Sequence, residues 1–159
     1  MQEQCELRLL RSGDSSQMRE LNSVFARAFS DPESYLRKRP SDDYLNSWLS
    51  DPNHLALVAL RAGEVVGGLV AYVLHKFERD RREIYIYDLA VAEEYRRTGI
   101  ATALIRRLQD IASDMGAYVI FVQADYGDDP AIALYQKMGT REEVLHFDIA
   151  VPHKPLMER

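Results

Sequence analysis

The sequence predicts an α/β (α+β) fold, with a mixed central β-sheet flanked by about four helices. Two observations support this prediction. Strand-like apolar runs alternate with amphipathic helix-like runs in the order β-α-α-β-β-β-α-β-α-β. A strand–helix–strand unit spans residues 84–122, and such a unit is typical of parallel neighbouring strands. The length of 159 residues, without repeats or linkers, predicts that residues 1–159 form a single domain.

The first half of the chain predicts a strand, two helices and a hairpin of two strands. Asp31-Pro32 is expected to end the first helix, and Ala62-Gly63 is expected to turn the hairpin. The five elements are centred on residues 6–10, 18–28, 44–49, 55–60 and 65–74.

The second half predicts a strand, a helix, a short buried strand, a helix and a last strand. Asp128 or Asp129 is expected to cap the second of these helices, which Gly139 closes. The five elements are expected at residues 84–91, 100–115, 118–122, 128–138 and within 144–151.

Composition and charge narrow the range of functions. The net charge of −5 argues against a nucleic-acid partner, whose phosphates require a basic surface, and mildly favours a cationic partner. No apolar run approaches the ~20 residues of a membrane helix, and the polar start of the chain does not resemble a secretory leader. One cysteine and four separated histidines show no metal-ligand spacing. We therefore expect a cytoplasmic protein without a metal or a membrane partner, and the sequence leaves a homodimer open.

Residues 96–102 form the most informative segment. They join a predicted strand to a predicted helix, where free backbone N–H groups and the positive end of the helix dipole lie. Gly99 and Ala101 leave room for an anion to approach the backbone, and Arg96 and Arg97 add positive charge. The segment is suited to hold a pyrophosphate. The alternative is an ordinary basic helix start on the surface.

The same segment resembles a superfamily signature. Arg96-x-x-Gly99-x-Ala101 fits the Gln/Arg-x-x-Gly-x-Gly/Ala pattern of the GNAT superfamily of acetyl-CoA-dependent N-acetyltransferases. A second segment, residues 133–139, reads ALYQKMG and is similar to the superfamily's Ala-Leu-Tyr-x-Lys-x-Gly motif. The two motifs occur in the expected order, and the predicted order of elements resembles the GNAT fold over nearly the whole chain.

Longer strings are similar to aminoglycoside 3-N-acetyltransferases of the gentamicin-resistance type. They lie at residues 83–91, 116–131 and 141–148. The resemblance implies transfer of the acetyl group of acetyl-CoA to an aminoglycoside amine, the 3-amino group, by direct attack in a ternary complex, with antibiotic resistance as the result. Acetylation of another polyamine or of a peptide amine is an alternative, as is a non-catalytic acyl-CoA-binding module. Which aminoglycosides are preferred does not follow from the sequence.

The resemblance also implies the cofactor contacts. Backbone groups of the strand before the loop would pair with pantetheine amides, and the loop would hold the pyrophosphate. The residues implied are Leu89, Ala90, Val91, Arg96, Arg97, Thr98, Gly99, Ile100, Ala101 and Thr102.

Asp88 and Tyr135 are the candidate catalytic residues. Asp88 interrupts an apolar strand, and a carboxylate there needs a partner or a purpose. As a general base it would accept a proton from the acceptor ammonium, whereas the alternative is an ion pair with Arg82 or another basic residue. Tyr135 stands at the motif position of the usual general acid, which protonates the departing CoA thiolate. The alternative is a core tyrosine with its hydroxyl bonded elsewhere.

Acidic residues cluster in the last third of the chain and could recognise a polycationic acceptor. For each of them a solvated or helix-capping role is the alternative. The candidate substrate-binding residues are Asp125, Asp128, Asp129, Glu142, Glu143 and Asp148.

Overall fold

A computed structural model of the chain describes residues 4–153. The chain divides into two compact units, Met1–Gln123 and Ala124–Arg159. The prediction of a single domain over 1–159 stays a prediction, and its residues 1–3 and 154–159 lie outside the described part.

The first unit contains a five-stranded sheet and four α-helices. The strands lie in the order β1-β2-β3-β4-β5, antiparallel except for the parallel pair β4–β5. The elements are β1 (Glu6–Leu9), α1 (Ser15–Ala28), α2 (Pro32–Leu36), α3 (Asp42–Ser50), β2 (His54–Arg61), β3 (Glu64–His75), β4 (Arg82–Val91), a 3₁₀ turn (Glu93–Tyr95), α4 (Ile100–Asp114) and β5 (Ala117–Val122).

The core of this unit lies on both faces of the sheet. On one face, α1 and α3 contribute Leu21, Val24, Phe25 and Leu45 to a cluster that includes Val70 of β3. Helix α4 contacts β2, β3, β4 and β5, and its buried residues recur at the helical spacing that the sequence predicted. Apolar burial on two faces fixes the sheet and therefore the position of the loop that follows β4.

Helix α2 was missed by the sequence analysis. Asp31-Pro32 ends α1 as predicted, but it also begins a second helix, so three helices rather than two separate β1 from β2. The carboxylate of Asp31 accepts a hydrogen bond from the backbone N–H of Ser34 at 3.0 Å, and Pro32 occupies the first turn. An aspartate followed by proline can begin a helix as well as end one, because the aspartate caps the first turn and proline fits within it.

The second unit contains α5 (Asp129–Met138), which begins as predicted. The Asp128 carboxylate caps it by accepting a hydrogen bond from the backbone N–H of Ala131. The predicted last strand within 144–151 is wrong, because residues 140–153 form neither helix nor strand. The prediction that residues 118–122 are a buried strand is also wrong. Strand β5 forms there, but it lies at the edge of the sheet and none of its residues is buried.

Candidate active site

The loop after β4 has the conformation of an anion-binding turn. Arg97 and Gly99 both adopt positive φ, at 61° and 84°, and α4 begins directly afterwards at Ile100. Alternation of left-handed and ordinary backbone in a turn points successive N–H groups to one side. The Thr98 hydroxyl donates to the carbonyl of Tyr95 at 2.5 Å, which holds the turn closed.

The space around this loop is open. A Cβ added at Gly99 would meet no heavy atom within 4 Å, and residues 96–99 are all exposed. Arg96 Nε donates to the carbonyl of Val91 at 3.1 Å, so this arginine braces the end of β4 against the loop. Ile100 is buried, whereas Ala101 and Thr102 are partly buried. The geometry suits a phosphate held by backbone N–H groups at a helix N-terminus.

Strands β4 and β5 pair over only part of their length. The parallel register runs from Arg82 opposite Ala117 to Ile86 opposite Val122, where β5 ends. Strand β4 continues to Val91, paired with β3 alone among the described strands. Residues 87–91, which include the predicted Leu89, Ala90 and Val91, therefore present one free backbone edge. Such an edge can pair with amide groups of an extended ligand.

A β-bulge changes the direction of Asp88. Along β4, Ile86 pairs with Ala71 and Asp88 pairs with Val70, so Tyr87 is the extra residue. Simple alternation would place Asp88 on the same face as the buried Ile86. The bulge instead places it with Val70, on the face covered by α1 and α3.

Tyr35 of α2 is the hydrogen-bond partner of Asp88. Its hydroxyl donates to Asp88 Oδ2 at 2.8 Å. The centroid of the Tyr35 ring lies 5.8 Å from that of Phe25 and 5.9 Å from that of Phe29, and this packing holds the donating hydroxyl of Tyr35 in place. Arg82, the ion-pair partner considered from sequence, instead donates to the carbonyl of Met115 at 2.7 Å. Among the ion pairs of the described residues, none involves Asp88.

The surroundings make Asp88 a stronger base than an exposed aspartate. Burial raises the pKa of the Asp88 carboxyl, and the hydrogen bond from Tyr35 lowers it in part. Burial, the hydrogen bond and the negative charge of Asp88 together raise the pKa of Tyr35, so Tyr35 remains a neutral donor. A half-buried carboxylate with one fixed donor retains lone pairs for a proton from another group.

A cluster of aromatic side chains lies on β3, β4 and β5. Tyr85 and Tyr87 of β4 and Tyr72 of β3 form edge-on pairs with ring centroids 5.8–5.9 Å apart, and Tyr85 stacks on Phe121 at 4.7 Å. Burial is the main reason why the pKa values of Tyr72 and Tyr85 are raised, and the negative charge of Asp88 raises them further. Tyr87 is 60% exposed, so the cluster is open to solvent.

The other predicted residues belong to the second unit. Tyr135 is partly buried on α5. The six acidic candidates are exposed, and three of them have local partners. Asp128 caps α5, Glu143 pairs with Arg141 at 2.8 Å, and Asp148 pairs with His146 at 2.9 Å. The other three acidic candidates are Asp125, Asp129 and Glu142.

The sequence pattern did not indicate the bulge at Tyr87, the partner Tyr35 or the aromatic cluster. A tyrosine in a five-residue helix gives no signal of its own. The spacing of three tyrosines at 72, 85 and 87 on two strands of a predicted antiparallel pair was an available signal, since cross-strand neighbours share a face.

Comparison with known proteins agrees with this architecture. Residues 18–140 match the model of the acetyltransferase (GNAT) family. Among curated proteins, N-acetyltransferase 8B of Rattus norvegicus is 30% identical over 105 residues, which is 66% of this chain and 47% of that protein. An N-alpha-acetyltransferase of Saccharolobus solfataricus is 37% identical over 62 residues, covering 38% of this chain and 37% of that protein. The chain thus spans less than half the length of these curated relatives.

Solved structures match over a larger share. An aminoglycoside acetyltransferase from an uncultured soil metagenomic sample is 52% identical, with a TM-score of 0.92 over 94% of this chain and 99% of that one. Another aminoglycoside acetyltransferase from such a sample, in complex with sisomicin, is 29% identical, with a TM-score of 0.87 over 93% of this chain and 97% of that one. The family match covers well over half of the chain, which therefore belongs to the GNAT family of acetyltransferases.

Proposed function

We propose that this protein transfers the acetyl group of acetyl-CoA to an amine of an aminoglycoside, at the 3-amino position, and thereby confers resistance. The observation that carries the proposal is the 52% identity to an aminoglycoside acetyltransferase over 94% of the chain. The second such relative, at 29% identity, was solved with sisomicin. The GNAT family uses acetyl-CoA, and the open turn at Arg97 and Gly99 fits a pyrophosphate.

Two parts of the first unit would hold acetyl-CoA. The backbone N–H groups of residues 97–102 would receive the pyrophosphate, with the side chain of Arg97 as an added cation. The free edge of residues 87–91 would receive the pantetheine amides. Asp88 lies in this same stretch, so a base would stand beside the thioester end of the ligand.

Asp88 is the base of this proposal. The acceptor amine is mostly an ammonium ion at neutral pH and must lose a proton before it can attack. The Asp88 carboxylate takes that proton, directly or through one water, and the neutral nitrogen forms a bond to the acetyl carbonyl carbon. Burial raises the pKa of the carboxyl, which makes it a better acceptor, and Tyr35 fixes its direction.

Tyr135 is the proposed general acid. As the carbon–sulfur bond breaks, the sulfur leaves as a thiolate, and the phenol hydrogen of Tyr135 protonates it. Unperturbed phenol and thiol pKa values are about 10 and about 8.5, so this transfer requires no unusual environment. The bonded nitrogen loses a second proton as the tetrahedral intermediate collapses, and a proton returns through solvent to the Tyr135 phenolate, so the products are an N-acetylated amine, free CoA and one net proton.

Acceptor recognition in this proposal combines charge and aromatic surface. Asp88 attracts the reacting ammonium, and exposed Tyr87 offers a ring face to a cation or to the apolar face of a sugar. The acidic residues Glu142 and Glu143 add negative charge for the other ammonium groups of the acceptor.

The test is thiol release with a panel of amines. The protein and acetyl-CoA are incubated with gentamicin, sisomicin, spermidine or a peptide with a free N-terminus, and CoA thiol is measured. We expect turnover with the aminoglycosides at low micromolar to millimolar KM. Turnover only with the peptide would instead favour the activity named for the N-alpha-acetyltransferase relatives, and turnover only with spermidine would favour a polyamine acetyltransferase. Acetyl-CoA binding without any turnover would indicate a non-catalytic module.

A further inference from the structure

The last carbonyl of β4 faces the open edge of the sheet. The N–H of Ala92 donates to the carbonyl of Val66 at 2.8 Å, so it points toward β3. In a trans peptide the preceding carbonyl points the opposite way, which turns the carbonyl of Val91 away from β3. On that side β5 has already ended at Val122. The Val91 carbonyl therefore belongs to the free edge at residues 87–91.

The Leu89 carbonyl has the same orientation. Backbone groups along a strand alternate in direction with a period of two, and β4 pairs with β3 in unbroken register from Asp88 to Val91. The free edge thus offers carbonyls at Leu89 and Val91, roughly 6.6–6.8 Å apart at the rise of an extended strand. Within residues 4–153, no backbone hydrogen bond outside the β3–β4 pairing involves Leu89. The edge therefore has two candidate acceptors for an N–H of an extended ligand.

Arg96 occupies one of these two acceptors. Its Nε donates to the Val91 carbonyl at 3.1 Å. The chain between the two residues folds back through the 3₁₀ turn Glu93–Tyr95, which brings the side chain to the end of β4. A side chain this close to the oxygen takes the space in which a ligand N–H would approach. Arg96 therefore removes Val91 from the acceptors open to a ligand and leaves Leu89.

The position of the donating nitrogen explains more than its charge. The Nε of arginine and the amide nitrogen of glutamine lie the same number of bonds from Cα, and both carry a hydrogen to donate. A glutamine at position 96 could therefore make the same bond without a charge, and the signature that residues 96–101 resemble accepts either residue. A neutral amide would not replace a cation that binds an anion. The bond to Val91 is thus a property that both side chains can supply.

We propose that Arg96 sets the register in which acetyl-CoA pairs with β4. With Val91 occupied, a pantetheine N–H bonds to the Leu89 carbonyl, which places the thioester end beside Asp88. A slip by one acceptor, to Val91, would withdraw that end by roughly 6.6–6.8 Å, beyond the reach of the base. Arg96 is thus a positioning residue that acts through the Val91 backbone. This inference rests on acetyl-CoA as the acetyl donor of the proposed function.

Two neutral variants separate the hydrogen bond from the charge. Arg96→Gln keeps a donor nitrogen at the same position, whereas Arg96→Met has a side chain of similar length without a donor. If Arg96 acts through its charge, the two variants behave alike, and if it acts through Val91, they differ. CoA itself is the ligand, because it carries the pantetheine amides and has no acetyl group to transfer.

Carbonyl carbon resonances report the register without any reaction. A carbonyl carbon moves downfield in the NMR spectrum when its oxygen accepts a new hydrogen bond. On addition of CoA to the isotope-labelled wild type, we expect a downfield shift at Leu89 and little change at Val91. Arg96→Gln should give the same result. Arg96→Met should shift both resonances, because both registers are then populated.

Affinity and turnover provide a second readout. If the two registers of Arg96→Met bind equally well, its CoA affinity by calorimetry is about twofold higher than that of Arg96→Gln. Half of the bound acetyl-CoA is then misplaced, so kcat with sisomicin is about twofold lower. A merely structural role would instead loosen the loop and weaken CoA binding. Arg97→Met is the matched control, because it removes a charge from the next residue and keeps the bond to Val91; it should weaken CoA binding and leave the carbonyl shifts unchanged.

Equal Val91 responses in Arg96→Gln and Arg96→Met would overturn the proposal, and so would a wild-type shift at Val91 as large as that at Leu89. The wild-type comparison stands alone if Arg96→Met does not fold, which circular dichroism and thermal unfolding check. A wild type that binds no CoA would overturn both this inference and the proposed function. A wild type that binds CoA with the expected shifts but leaves sisomicin unmodified would support the register and count against the proposed acceptor only.

Discussion

Residues 4–123 and residues 124–153 use their apolar side chains in opposite ways. The first region buries 30 hydrophobic residues around one sheet, and the second region buries none. The loop at residues 96–99, the free edge of β4 and the Asp88–Tyr35 pair belong to the first region. Tyr135 and all six acidic candidates belong to the second region. The residues proposed to hold the cofactor thus lie in the region that has a buried core, whereas the six acidic candidates for acceptor recognition lie in the region without a buried residue.

The largest effect on activity is expected at Asp88, the proposed general base. Asp88→Asn keeps an oxygen to accept from Tyr35 but cannot take a proton, so kcat/KM for an aminoglycoside should fall by ~10²–10⁴. The residual rate should rise with pH as the free amine accumulates. Acetyl-CoA affinity by calorimetry should be unchanged, and a loss of that affinity would make Asp88 structural.

The same variant has a predicted effect on stability. Burial raises the folded-state pKa of Asp88 above its unfolded value, so above that unfolded value the ionised carboxylate opposes folding. This cost grows as the pH rises toward the folded pKa and is complete above it. Asp88→Asn should therefore leave Tm at pH 7 unchanged or raise it. A clear fall in Tm would contradict the burial argument.

Core substitutions test the comparison itself. Leu104 is fully buried and Leu145 is 84% exposed. Leu104→Ala should lower the free energy of unfolding by about 2–5 kcal/mol, because it leaves a cavity. Leu145→Ala should change the free energy of unfolding by less than about 0.5 kcal/mol, because the side chain is exposed. Urea unfolding measures both changes, and equal costs at the two positions would contradict the contrast between the two regions.

The loop at residues 96–99, which we propose to bind the pyrophosphate, should be sensitive to backbone strain. Gly99→Ala introduces no clash, since the space is open, but it forces a non-glycine residue to hold a φ of 84°. A cost of about 1–2 kcal/mol corresponds to a roughly 5–30-fold loss of acetyl-CoA affinity if the turn must keep this shape. Gly63→Ala is the matched control, with a φ of 80° and equally open space in the β2–β3 turn. Equal acetyl-CoA affinities of the two variants would remove the loop from cofactor binding.

The smallest expected effect is at the positioning residue Tyr35. Tyr35→Phe keeps the ring against Phe25 and Phe29 and removes only the hydrogen bond to Asp88. Losing a bond to a charged group costs about 1.5 kcal/mol, so kcat/KM should fall about tenfold. Because this bond lowers the pKa of Asp88, the acidic limb of the pH profile should move to higher pH. Tyr126→Phe changes an exposed tyrosine of the second unit and should alter neither kcat/KM nor the acidic limb. An unshifted acidic limb in Tyr35→Phe would show that Tyr35 is only a packing residue.

Local pattern explains what the sequence could predict. The hairpin turned by Ala62-Gly63, the helix from Ile100 and its preceding loop, and the capped α5 depend on residues close together in sequence. The direction of Asp88 could not be predicted in this way. It depends on a bulge at Tyr87, which appears only when β3 and β4 are paired in register. The partner Tyr35 lies 53 residues earlier, on a helix of five residues.

The two wrong strand predictions have one physical cause. Residues 118–122 and 144–151 have the composition of paired and buried strands. Composition alone does not determine whether neighbouring elements pair with a segment and bury it. The structure has β5 as an edge strand without a buried residue, and residues 144–151 as neither helix nor strand. The predicted cytoplasmic location stays a prediction. In the part of the chain that the structure describes, no helix combines the length and the apolar composition that a membrane span requires.

Mass spectrometry of the acceptor tests the central claim most directly. Sisomicin is incubated with acetyl-CoA and either the wild type or Asp88→Asn, and the product is isolated for mass and NMR analysis. The account predicts one added acetyl group on the wild-type product, located on the 3-amino nitrogen, with one CoA thiol released for each. It predicts almost no product from Asp88→Asn under the same conditions. Unmodified sisomicin after incubation with a wild type that binds acetyl-CoA would contradict the account, and so would equal product from both proteins.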